Sequence, residues 1–155
     1  MNKKLVIILS WSAVFLWMLL IFNLSSQAAA KSNGLSLGVT YWLHKALERV
    51  IDVDVNTFNH IVRKGAHFSA YLVLGILSCN ALRISGILKW KRFFLALGIC
   101  VLYAASDEIH QLFIAGRSGQ PSDVILDSLG AVSGLGIFML TERRFSKKKH
   151  LKKVT

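Results

Sequence analysis

The run from Leu5 to Phe22 carries eighteen residues without a charge. That is close to the length a helix needs to cross the hydrocarbon of a bilayer. Further apolar runs follow at about 66–82, 93–110 and 124–140. A segment inside lipid must satisfy its own backbone N–H and C=O groups, so each spanning run of this length has to be a helix. The expected fold is therefore all-α: a polytopic membrane protein with four transmembrane helices, forming a single domain over residues 1–155. Charged residues make up 17% of the chain, against about a quarter in soluble domains, which argues against a soluble core. The first run also competes as a signal peptide, with Ala28-Ala29-Ala30 as a cleavage point. It is longer than the usual apolar region of about 7–15 residues, and a retained span is expected.

The connections are informative as well. From Leu37 to Ile51 the apolar positions Val39, Leu43, Ala46, Leu47 and Val50 recur at helical spacing, with charged residues mostly between them. This predicts an amphipathic surface helix, with Tyr41 and Trp42 at headgroup depth and a break at Asp52-Val53-Asp54. Pro121 suits the first turn of the fourth helix. Gly130 and Gly134 form a GxxxG pair, which lets a neighbouring backbone come close. His60, Lys64, His67, Tyr71 and Gly75 fall on one stripe of the helix that carries the second span, and Asp123 and Asp127 fall on one face of the fourth. Cys79 and Cys100 lie inside apolar runs and read as small buried hydrophobes, not as a disulfide framework. The basic tail, 142–155, is expected to be disordered beyond Arg143 and to meet anionic lipid headgroups.

The net charge of +11 is distributed unevenly. Thirteen of the nineteen basic residues fall in the N-terminal tail, the Arg83–Arg92 loop and the C-terminal tail. Basic residues gather on the cytoplasmic side of a membrane protein. The expectation is a multi-pass protein of the cell membrane with both termini cytoplasmic, whose partner is the lipid bilayer. Nucleic-acid binding is not expected. That orientation puts Ser26 and Gln27, the cluster Arg63, Lys64 and His67, and the stretch Asp107 to Asp127 together on the outer side.

This outer cluster is the candidate site. A charge at the centre of a bilayer costs about 2.5–3.5 kcal/mol on insertion scales, and less toward the interface. Such residues are therefore read first as functional. Asp107 and Gln111 share a helix face, as do Asp123 and Asp127. Three chemistries are open. Arg63, Lys64 and Arg117, with the histidines, would hold a phosphate or carboxylate, with Ser26, Gln27, Tyr71, His110, Gln111, Asp123 and Asp127 completing a ligand-binding set. Asp107, Glu108 and His67 are candidates for acid–base catalysis if burial tunes them. The cluster could also be structural, with cations and carboxylates pinning helices together. The spacing matches no zinc signature, and no metal or cofactor is expected.

The pattern Arg63-Lys64-Gly65-Ala66-His67-Phe68, followed by Tyr71 and Leu74-Gly75, resembles the VanZ-like family. So does Ser106-Asp107-Glu108-Ile109-His110-Gln111-Leu112-Phe113, with Arg117, Gly119, Asp123, Asp127, Gly130 and Gly134 in register, and so does Ser25-Ser26-Gln27 after the first span. The resemblance covers roughly Trp11 to Leu140. It implies a small bacterial cell-envelope protein of a family named after a teicoplanin-resistance accessory protein, and a phenotype of lowered glycopeptide susceptibility. It implies no particular reaction. The expected function is an outward-facing polar pocket for an anionic lipid or lipid-linked cell-wall-precursor headgroup. A membrane enzyme acting on such a lipid and a structural, partner-binding protein are the alternatives.

Overall fold

In the computed structural model, residues 2–27, 34, 37, 38, 40–42, 44, 45 and 54–154 are described, with side chains to Arg144. Four long helices carry the architecture: α1 (Lys3–Ser25), α2 (Val55–Ile84), α3 (Lys89–Gln111) and α4 (Pro121–Val154). Each is long and apolar enough to cross a membrane, and no strand occurs among the described residues. The all-α reading holds. Of the expected surface helix, Leu37, Gly38, Thr40–Trp42, His44 and Lys45 are helical, with Tyr41 and Trp42 exposed. The remainder of that segment lies outside the described residues.

The helix ends follow local chemistry. Asn2 caps α1 by accepting from the Lys4 N–H at 3.1 Å. Asp54 caps α2, accepting from Asn56 and Thr57. Its hydrogen bonding, led by Thr57, holds its carboxyl below the ordinary range. Gly86, at φ +85°, takes the left-handed conformation that ends α2 and turns the chain toward α3. Pro121 opens α4 as expected. The tail differs from expectation, because α4 continues as helix to Val154. Residues 137–154 contain neither glycine nor proline, and lysine, arginine and leucine are good helix formers. The membrane span has already nucleated the helix, so only propagation is required.

α2 is the central element: it packs most extensively on α4 and also touches α1 and α3. Because lipid is as apolar as leucine, helices in it associate by close packing and hydrogen bonding rather than by the hydrophobic effect. Both devices are present. Gly130 and Gly134 of α4 sit directly on the backbone of α2 at Phe68 and Leu72, and Gly75 of α2 faces Ala131. A Cβ on Gly75 would come within 2.6 Å of the Ala131 carbonyl oxygen. Tyr71, Leu74, Ala131 and Leu135 are buried along this seam, and Cys79 and Cys100 are free and buried beside it. α1 buries only Val14, Ile21 and Ser25 and is held by side-chain donors. Trp17 donates its indole N–H to the Ala70 carbonyl at 2.8 Å, Trp11 donates to Ser85 at 3.1 Å, and the Tyr103 hydroxyl donates to the Met18 carbonyl.

At the end where the Arg83–Arg92 loop lies, Arg92 is buried and forks onto both carboxylate oxygens of Glu142. This pair ties the start of α3 to the far part of α4. Sequence reading took Arg92 only as part of a basic loop.

Two outcomes are expected. Gly134→Ala lowers the thermal midpoint of the detergent-solubilised protein, by about 1–3 kcal/mol of overpacking. Gly136→Ala, on the same helix but with open space around it, leaves it unchanged or slightly raised; circular dichroism melts compare the two. Glu142→Ala strands a buried guanidinium and is more destabilising, by about 3 kcal/mol or less, than the double change Arg92→Leu/Glu142→Leu. Urea titration of both variants tests this order.

Candidate functional site

At the opposite end of the bundle, three elements present polar side chains to one place. α2 contributes one stripe of its face, His60, Lys64 and His67, with Tyr71 a turn deeper. α3 brings Asp107, Glu108 and Gln111 on its last turns, all three at most 5% exposed. The connection to α4 is short and shaped by two glycines. Gly116 adopts φ +72°, and a Cβ on Gly119 would fall 2.5 Å from the Glu108 carbonyl oxygen. This close fit brings the Gln120 N–H onto the Glu108 carboxylate at 2.7 Å.

Gln111 organises the α3 side. Its amide N–H₂ donates to Asp107 and to Glu108, each at 3.1 Å, and its oxygen accepts from Arg117 at 3.4 Å. Arg117 also donates to the carbonyls of Gln27 (2.9 Å) and Leu24 (3.3 Å). One guanidinium thus joins the loop to the end of α1, 90 residues away in sequence. Burial, and then the nearby Arg63, lower the pKa of Arg117, while Asp107 and Glu108 act the other way. On the α2–α4 side, Lys64 pairs with Asp123 at 3.2 Å. His67 Nδ1 lies 3.9 Å from Asp127, which is completely buried.

These groups surround a cavity of about 160 Å³. Of the residues singled out from the sequence, Arg63, Lys64, His67, Gln111, Arg117 and Asp123 line it. His60, Gly116, Ser118 and Gln120 line it too. His60 was legible as the outermost member of the α2 stripe. Gln120 carried no signal beyond its place between Gly119 and Pro121.

The other expected site residues lie elsewhere. Asp107 and Glu108 stand behind Gln111, and Asp127 behind His67; none of the three lines the cavity. Tyr71 is wholly buried, its ring 6.2 Å from that of Tyr103. His110 turns to α1, its ring 4.5 Å from that of Phe22. The Ser26 hydroxyl bonds to the Phe22 carbonyl of its own helix, and Gln27 takes part through its backbone carbonyl. Among the described residues no three histidine, cysteine or acidic side chains gather in a way that would hold a metal ion.

Helices long enough to span, a central glycine seam and a polar cavity at one end define a small polytopic membrane protein with a solvent-reachable polar chamber. The VanZ/LLP1 family model matches residues 10–142, and the chain belongs to that family. No match was found among curated proteins or among solved structures.

Glu108 fastens the loop that frames the cavity. Glu108→Leu is expected to release the Gln120 amide, raising its hydrogen-exchange rate about tenfold or more for a lost charge-assisted bond. Exchange at Gly134, in the α2–α4 seam, stays unchanged; mass spectrometry of exchanged peptides separates the two.

Proposed function

We propose that this protein is a cell-envelope member of the VanZ/LLP1 family whose cavity faces outward and binds the phosphate-bearing headgroup of a membrane lipid or lipid-linked cell-wall precursor. The observation that carries the reading is the rim. Arg63, Lys64 and Arg117, from two separate elements, line one small chamber. Arginine matches phosphate oxygens in a bidentate way, and lysine adds a point charge. Pockets for drug-sized ligands usually run to about 300–1,000 Å³. A chamber of about 160 Å³ suits a headgroup and not a whole glycopeptide. In this reading any effect on teicoplanin susceptibility works through the lipid and not through capture of the antibiotic.

The outward orientation rests on the thirteen basic residues assigned to the N-terminal tail, the Arg83–Arg92 loop and the C-terminal tail, following the cytoplasmic bias of basic residues. Acid–base catalysis by Asp107, Glu108 and His67 has less support. Asp107 and Glu108 are both engaged by Gln111, and Glu108 also accepts from the Gln120 backbone.

The tests are direct. In a susceptible Gram-positive host, wild type should raise the inhibitory concentration of teicoplanin, and Arg117→Gln at equal expression should not. With purified protein, Arg117→Gln should weaken binding of short-chain phospholipid by about tenfold or more, the usual scale for removing one partner of a desolvated charge pair. Ser118→Cys should react with an impermeant thiol reagent added outside intact cells, because the native cysteines are buried. Reaction only after lysis overturns the outward orientation.

A further inference from the structure

The charges around the cavity do not suit a simple anion. Among the described residues the cluster holds three fixed cations, Arg63, Lys64 and Arg117, against four carboxylates, Asp107, Glu108, Asp123 and Asp127. Lys64 is engaged with Asp123. Arg117 spends its hydrogen bonds on Gln111 and on two backbone carbonyls, not on an acid. Behind the rim, both oxygens of Asp127 and one of Asp107 are buried without a hydrogen-bond partner, and the two residues are 0% and 3% exposed. A buried carboxylate without a partner is costly, and native proteins keep one where something else supplies the missing partner. The cavity reaches His67 and Gln111, and a buried carboxylate stands behind each: Asp127, 3.9 Å from His67 Nδ1, and Asp107, which accepts from Gln111 through one oxygen only. The chamber therefore has two layers: a cationic rim and a floor backed by two buried carboxylates whose hydrogen bonding is incomplete.

We propose that the headgroup taken by this cavity is zwitterionic. A phosphate lies against the rim at Arg63 and Arg117, and a primary ammonium a few bonds away rests on the floor beside His67 and Gln111, toward Asp127 and Asp107. The chemical class is a phosphoethanolamine-like group, on a lipid or free in solution. This rests on the phosphate reading above and adds the positive partner that the floor lacks. A ligand carrying only negative charge would add to the cluster's excess of carboxylates, whereas a zwitterion offsets it.

The experiment uses the full chain in detergent and measures binding by titration calorimetry. Short-chain phosphatidylethanolamine is compared with its N-acetylated derivative, with phosphatidylglycerol of the same chains, and with free phosphoethanolamine. The expected result is that the amine-bearing lipid binds about tenfold or more tightly than the N-acetylated form, a modest coupling for a close charge pair. Asp127→Asn should shrink that gap, because removing one carboxylate weakens the hold on the amine and favours phosphatidylglycerol. The comparison of ligands on wild type stands even if the variant does not fold. Equal binding of all three lipids, with Arg117→Gln weakening each, overturns the zwitterion and leaves the phosphate site intact. Failure of every phosphorylated ligand to bind overturns the phosphate reading and this inference with it. Free phosphoethanolamine binding as well as the lipid supports the class and places its source in solution.

Discussion

The contact on which the rest depends is backbone against backbone between α2 and α4. Gly130 and Gly134 rest on the main chain at Phe68 and Leu72, and Gly75 answers from the other side at Ala131. Dispersion falls off steeply with distance, so a seam without side chains between its backbones gains more than one held apart by them. The seam also sets the positions of the polar groups above it. With the helices at this separation, His67 and Lys64 meet Asp127 and Asp123, one and two turns toward the cavity end of the bundle. Wider spacing would lose both pairs, and with them the wall of the chamber.

Much of this was legible because a bilayer imposes such simple demands. Four apolar runs, each near the required length, leave little choice but helices. The GxxxG pair announced the tight face of α4, and the stripe from His60 to Tyr71 announced the facing side of α2. What sequence could not supply was depth. Asp107, Glu108 and Gln111 sit within five positions of one another and looked equally available, yet only Gln111 lines the cavity. His110, one residue away, points to Phe22 because 100° of helical turn carries it around to α1. The pairing of buried Arg92 with half-buried Glu142 was hidden too, since an arginine in a basic loop gives no sign that a carboxylate fifty residues later will meet it. The tail was misjudged for a different reason. Composition speaks to whether a segment can form a core, not to whether it continues a helix already formed.

The polar end works as two kinds of structure at once. Glu108 and Gln111 are mostly occupied with one another and with the Gln120 backbone, while Arg117 both ties the loop to α1 and lines the cavity. They build the chamber. Lys64, Arg63, His60 and His67 face its space, and Asp127 and Asp107 set the potential behind it. A substitution in the first group is expected to change shape, and one in the last to change preference among ligands of the same shape.

The order of the helices along the chain has a consequence for biogenesis. A ribosome delivers α2 to the membrane long before α4, the helix that covers its polar stripe. Roughly sixty residues separate the end of α2 from the far side of the α4 span, which at 5–20 residues per second is about 3–12 seconds of synthesis. During that interval Lys64 and His67 lack their α4 carboxylates, and Gly75 has no backbone against it. α1, which carries no charge from Leu5 to Ser25, needs no such help. Insertion and assembly are thus separated in time: a nascent chain stopped before Pro121 carries three helices in the bilayer and an open seam, which is the form a membrane quality-control protease would meet.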